Sequence, residues 1–139
     1  MTNGNGYRLD DQIGYVLRRV TQRHLAIFAA AIPEVTTTQF AVLARLVEIG
    51  PVSQNHLGRA TAMDAATVKG VVDRLVKLGL VATSADPADR RRLTVSLTPA
   101  GERLFTDRVP TALAVSAETV APLTGDEARL LQALLSRLT

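Results

Sequence analysis

Apolar residues recur every three or four positions along most of this chain, and the breaks in that rhythm predict six helices and one pair of strands. Leu9, Ile13, Val16, Leu17, Val20, His24, Ile27 and Phe28 form one face of a long first helix, which Pro33 ends. Thr36, Thr37 and Thr38 then offer capping hydroxyls, with Gln39 three residues after Thr36 as in a capping box. Phe40, Leu43, Leu46 and Val47 carry a second helix that closes at Gly50-Pro51. Ser53 can cap a third helix, Gln54 to about Ala60, anchored by Leu57. After the short link Thr61-Ala62-Met63, Asp64 caps a fourth helix with Val68, Val71, Val72, Leu75 and Leu78 on its inner face, and Gly79 stops it. Two short helices joined by a tight link, the second one longer, make a helix-turn-helix.

The period then changes to two. Leu80 to Ser84 and Leu93 to Leu97 read as strands, and the loop between them carries Arg90, Arg91 and Arg92. A hairpin with a basic tip after such a helix pair is a wing. Thr98-Pro99 opens a fifth helix, with Thr as the cap and Pro at the first helical position, and Pro110 is expected to bend or interrupt it. Thr124 or Gly125 precedes a last helix with a stripe of Leu130, Leu131, Leu134, Leu135 and Leu138. The fold class is therefore mainly α, a winged helix-turn-helix with helices before and after it.

Composition narrows the function. The chain has 139 residues, enough for one domain or one subunit that shares its core with a partner. It contains no cysteine, which removes disulfides, thiolate metal sites and thiol redox chemistry. His24 and His56 are far apart, with no short-spaced ligand pair, so no metal or other cofactor is expected. No apolar run approaches the roughly 20 residues of a membrane span. Met1 to Asp11 is polar and Gly-rich rather than a secretory signal, and a cytoplasmic location is expected. With no Cys nucleophile, no Gly-rich phosphate loop and no carboxylate close to either histidine, the chain does not read as an enzyme. The net charge of +3 is a weak signal by itself. Its placement is informative.

The first turns of the second helix of such a motif reach base edges. Here they carry Ala65, Ala66, Thr67, Lys69, Gly70 and Arg74. Small residues allow close approach, Thr67 can bond a phosphate or pack on a thymine methyl, Lys69 can reach guanine acceptors, and Arg74 suits a phosphate. A solvated amphipathic helix is the bland alternative. In the wing, an arginine can enter the negative potential of a narrow minor groove, with Asp89 steadying it by an ion pair. Ser53, Gln54 and Asn55 can bond the phosphate backbone, although Ser53 has capping as its first role.

At this point the chain resembles the MarR family of bacterial winged-helix regulators, over about residues 8 to 138. The resemblance rests on Leu57-Gly58, the stretch from Met63 to Leu75, Gly79-Leu80-Val81, the wing from Asp86 to Arg92, and Leu97-Thr98-Pro99-Ala100-Gly101. It implies that Asp89 and Arg91 are the wing pair, with Arg91 entering the minor groove beside Arg90. Gly70 departs from the larger, often basic residue of many members, and Thr83 replaces a basic residue common after the first wing strand. The resemblance also implies a homodimer: one subunit over 1–139, the winged DNA-binding part at 36–98, and dimerisation helices at 8–32 and 99–139. The long first helix and the Leu-rich last helix expose more apolar stripe than one small subunit can cover, which agrees. Two-fold symmetry then predicts a palindromic operator in double-stranded DNA.

Many members respond to a small aromatic acid, and this chain is most similar to those controlling catabolism of such acids. Tyr15, Arg19 and His24 on the first helix, with Gln39 and Phe40 on the second, are the candidate ligand residues. A carboxylate would take Arg19 or a protonated His24, and a ring would take Phe40 or Phe28. A satisfied core or interface histidine is the competing reading of His24. The expectation is a repressor released by such an acid, against the alternative of a winged-helix protein–protein interaction module without ligand response.

Overall fold

The computed structural model describes residues 4–139, so the first three residues of the polar N-terminal stretch lie outside the described residues. The chain divides into two compact units. One is Ile32–Pro110, and the other combines the segment through Ala31 with Thr111–Thr139.

The first of these holds the winged helix-turn-helix. Helix α2, Thr37–Ile49, begins in a capping box: the Gln39 amide N–H donates to Thr36 Oγ1 at 3.2 Å and Gln39 Oε1 accepts the Thr36 N–H at 2.9 Å. Two residues of strand β1, Val52–Ser53, lead into α3, Gln54–Ala60, where Ser53 Oγ accepts the His56 N–H. The turn to α4, Ala65–Lys77, is tight enough that a Cβ on Gly58 would lie 3.1 Å from the Met63 carbonyl and 3.2 Å from Val68 Cγ1. Ala62 takes up this turn in the left-handed region, φ 57°. Strands β2, Val81–Ala85, and β3, Leu93–Leu97, are antiparallel with Val81 opposite Leu97 and Ala85 opposite Leu93, and β1 adds to the far edge of β3. Val42, Leu43, Leu46, Leu57, Val68, Val71, Val72, Leu75, Val81 and Val95 form one buried cluster among these elements.

Helix α5, Pro99–Thr119, starts from a clamp on the base of the wing. The Thr98 hydroxyl donates to the Gly79 carbonyl at 2.6 Å and accepts the Gly101 N–H at 3.1 Å, while the Thr98 N–H donates to the Leu80 carbonyl at 3.1 Å. A Cβ on Gly101 would lie 2.0 Å from that Leu80 oxygen, so only glycine fits. Gly79 turns the chain out of α4 with φ +75°, a left-handed conformation that favours glycine. Further along α5, Arg108 pairs with Glu34 through Nε and a terminal nitrogen, and that hydrogen-bonded guanidinium holds the Glu34 carboxyl below the usual carboxylate range.

The second unit contains α1, Ile13–Ala31, the end of α5, and α6, Gly125–Ser136, with a short 3-10 turn at Leu9–Asp11 ahead of α1. Thr124 and Glu127 form a second capping box. Arg23 donates to the Glu118 carbonyl at 3.0 Å and to the Thr119 carbonyl, satisfying the end of α5 with a side chain of α1. Among the described residues of this unit only Phe28 and Val115 are buried hydrophobics. Val16, Leu17, Val20, Leu130, Leu131, Leu134 and Leu138 are exposed.

Several expectations change. Leu9 belongs to the 3-10 turn rather than to the long helix. Val47 and Leu78 face solvent, because the inner edge of α2 is Val42-Leu43-Leu46 and Leu78 lies past the last turn of α4. Strand β1 was not expected: two residues make a strand only when β3 supplies the partner. Pro110 does not interrupt α5. The ring removes one N–H, and its would-be acceptor belongs to Thr106, an exposed residue whose carbonyl water can satisfy.

The glycines give a paired test. Gly101→Ala is expected to destabilise by about 2–3 kcal/mol, since the clash is with backbone rather than with a pliable side chain. Gly70→Ala, with nothing within 4 Å of its added carbon, is expected to stabilise by about 0.5–1 kcal/mol through helix propensity. Urea denaturation of the two variants should move the midpoint in opposite directions.

Candidate nucleic-acid interface

The fourth helix presents one apolar and one polar face. Val68, Val71, Val72 and Leu75 point into the core, while Ala65, Ala66, Thr67, Lys69, Asp73 and Arg74 are exposed and Gly70 is half-buried. Asp64 Oδ1 accepts the Thr67 N–H at 2.7 Å, which caps the helix. That backbone hydrogen bond favours the ionised carboxylate and holds the Asp64 carboxyl below the ordinary aspartate range. Lys69 Nζ lies 2.8 Å from Asp73 Oδ2, one turn further along. The cation expected to face bases therefore has an internal partner.

The wing loop is shaped by two aspartates. Asp86 Oδ1 accepts the Ala88 N–H at 2.8 Å and Asp89 Oδ1 accepts the Arg91 N–H at 3.0 Å, each a two-residue side-chain turn. The Asp86 N–H donates to the Arg92 carbonyl at 2.9 Å and closes the loop. Arg91 Nε lies 3.7 Å from Asp89 Oδ1, the expected pair, while its side chain stays 95% exposed. Arg90 and Arg92 are exposed as well. Asp89 thus sets the backbone at Arg91 and leaves the guanidinium projecting.

Pairing of Ser53 with Thr94 carries the start of α3 to the base of the wing. Ser53, Gln54, Asn55, Arg91, Arg92 and Leu93 line a depression of about 70 Å³, room for a water molecule or one phosphate oxygen. Gln54 Oε1 is buried there with no hydrogen-bond partner. Ser53 is spent on its cap, as expected.

The five candidate ligand residues are divided between the two units. Tyr15, Arg19 and His24 lie in one unit, Gln39 and Phe40 in the other. Gln39 is buried and committed to its capping box, and the Phe40 ring packs on Phe105 with centroids 5.2 Å apart. His24 Nδ1 is 2.8 Å from Thr119 Oγ1, and that hydroxyl donates its only proton to the Val115 carbonyl at 2.9 Å. Nδ1 must therefore carry the proton in the hydrogen bond, and a neutral His24 keeps Nε2 as an acceptor. His24 and Arg23 line an apolar cavity of about 450 Å³ between α1, the end of α5 and α6, walled by Val20, Leu123 and Leu131. Tyr15 and Arg19 are not part of its lining. Among the described residues no group of three or more His, Cys, Asp or Glu could hold a metal, and no helix is long and apolar enough to cross a membrane.

Residues 34–92 match the family model described as the MarR family. The HTH-type transcriptional repressor NicR of Pseudomonas putida is 40% identical over 134 residues, covering 95% of this chain and 85% of NicR. A probable transcriptional regulator from Pseudomonas aeruginosa shares 53% identity and a TM-score of 0.91, over 95% of this chain and all of that one. BpsR of Bordetella bronchiseptica, whose DNA binding is regulated by 6-hydroxynicotinic acid, shares 42% identity and a TM-score of 0.89 over 95% of this chain and 96% of its own.

The capping carboxylate makes a pH prediction. Its folded pKa is below the unfolded one, so its stabilisation is present above about pH 4 and is lost as pH falls through the folded value. Glu34 adds to the same trend. Asp64→Ala is expected to lower the urea midpoint at neutral pH. Asp64→Asn, which retains an acceptor oxygen, is expected to keep most of that midpoint and to lose less of it on acidification. Midpoints measured across pH 7 to about 3 check both.

Proposed function

This chain belongs to the MarR family, and on that premise we propose that it is a homodimeric transcriptional repressor that binds a palindromic operator and is released by a small aromatic acid. As a member of a family of regulators it is not an enzyme. The observation that carries the reading is the presentation, in one compact unit, of a capped helix with small outward residues and a hairpin whose arginines project from a closed loop.

In this reading Ala65, Ala66, Thr67, Lys69 and Gly70 face base edges in the major groove, and Arg74 takes a phosphate. Arg90 and Arg91 enter the adjoining minor groove. Ser53, Gln54 and Asn55 receive the backbone, with Gln54 Oε1 as the acceptor that a water bridging to a phosphate satisfies by donating a proton. The exposed leucines of α6 and the exposed face of α1 support a dimer that covers them. Residues 8–32 and 99–139 are its dimerisation segments. The cytoplasm, where operator DNA lies, is the compartment that follows.

For the effector, BpsR supplies the chemical class: a hydroxylated aromatic carboxylic acid. His24 is the residue of this chain best suited to it, since its Nδ1 is held by Thr119 and leaves Nε2 for a phenolic hydroxyl or, when protonated, a carboxylate. Arg19, Tyr15, Gln39 and Phe40 remain candidates, with Gln39 and Phe40 acting only if they leave their present partners. The acid releases DNA by binding one arrangement of the dimer better than the other, and a difference of roughly 1–3 kcal/mol suffices.

Mobility shift with duplex from the region upstream of the chain's own gene tests this. Wild-type protein is expected to shift that duplex at low salt, and 6-hydroxynicotinic acid or a related aromatic acid to reverse the shift. Arg90→Ala with Arg91→Ala is expected to weaken binding at least tenfold and to flatten the dependence of log affinity on log salt by about 1–2. A protein–protein interaction module would show no salt-dependent DNA affinity to lose.

A further inference from the structure

The charges on the exposed face of α4 are arranged to cancel. Lys69 and Asp73 stand at positions i and i+4, their charged atoms 2.8 Å apart, with both side chains more than half exposed. Between them sits Gly70, which has no side chain and nothing within 4 Å of where one would begin. The cation expected to read bases is therefore bare on one flank and held by a carboxylate one turn away. Asp73 makes no contribution to the buried cluster, whose α4 members are Val68, Val71, Val72 and Leu75.

Resting on the operator-binding reading above, we propose that Asp73 is a positioning residue that sets DNA specificity by holding Lys69 as an internal ion pair. On a duplex that does not place guanine O6 and N7 together opposite Lys69, the ammonium stays with Asp73. The pair is then neutral, and the carboxylate repels nearby phosphates. On a duplex that presents guanine O6 and N7 at that position, the ammonium gains two acceptors and can be shared with or taken from Asp73. The carboxylate thus weakens binding everywhere and is compensated only at the correct sequence, which is discrimination by an opposing interaction. The projecting wing arginines, by contrast, attract any duplex.

The test uses the full-length protein. Wild type selects duplexes from a randomised pool, and a selected duplex and a scrambled one of equal composition are titrated with wild type, Asp73→Asn, Asp73→Glu, Lys69→Ala and the Lys69→Ala/Asp73→Asn double variant. Asp73→Asn is expected to bind scrambled DNA about tenfold more tightly, with a salt dependence steeper by about one phosphate contact, and the selected duplex less than about threefold more tightly. Its specificity ratio falls accordingly. Asp73→Glu, which can still pair at i+4, is expected to keep the wild-type ratio. In the Lys69→Ala background, Asp73→Asn is expected to leave the ratio unchanged. An unchanged ratio in Asp73→Asn, or an equal fall with and without Lys69, would overturn the inference while operator binding stands. Failure of wild type to select any duplex would sink the operator-binding reading and this inference with it.

Discussion

A single threonine and a single glycine join the two parts of the winged motif. Thr98 ties its hydroxyl to the Gly79 carbonyl and to the Gly101 N–H, and its own N–H to the Leu80 carbonyl. Gly101 lets the first turn of α5 sit against that carbonyl with no intervening carbon. The end of α4, the start of β2 and the start of α5 thereby meet at one hydrogen-bonded point. The wing is a two-stranded ribbon with a small third partner, and such ribbons are marginal alone. Its direction relative to α4 is fixed at this base, not at its tip. Every proposed base contact and every proposed minor-groove contact inherits its geometry from that clamp.

Much of this was legible in advance, and for physical reasons. Caps are local: Thr36 with Gln39, Ser53, and Asp64 each satisfy backbone groups within three residues, so their spacing is enough to find them. The inward stripe of α4 is equally local. What depended on distant partners was not legible. Strand β1 exists because β3 lies beside it, and Val47 is exposed because α2 turns Val42 inward in its place. Leu-Thr-x-x-Gly stood out by resemblance alone, since nothing near Thr98 in sequence announces that its partners are Gly79 and Leu80. Among the candidate site residues, the run of arginines after Asp89 pointed to an ion pair with one of them, and only the resemblance singled out Arg91. The i, i+4 spacing of Lys69 and Asp73 carries a local signal of the same kind.

The two positively charged regions of the interface differ in what they do without DNA. Asp89 contributes its carboxylate mainly to the loop backbone, so the Arg91 charge remains available to solvent and to phosphates at a distance. Asp73 contributes its carboxylate to a cation, so the Lys69 charge is answered before DNA arrives. On the proposed reading, long-range attraction belongs to the wing and short-range choice to α4.

The unit formed by α1, the end of α5 and α6 has a different balance. Its helices are well capped, with a full capping box at Thr124 and with Arg23 on the last carbonyls of α5, yet only Phe28 and Val115 are buried among its described hydrophobics. Capping makes helices; it does not supply a core. In the proposed dimer a second copy covers the exposed leucines and valines of these helices, and at roughly 25 cal/mol per Å² of apolar surface removed from water that burial stabilises this part of the chain. Folding of this unit and association are then one process, and its apparent stability rises with protein concentration.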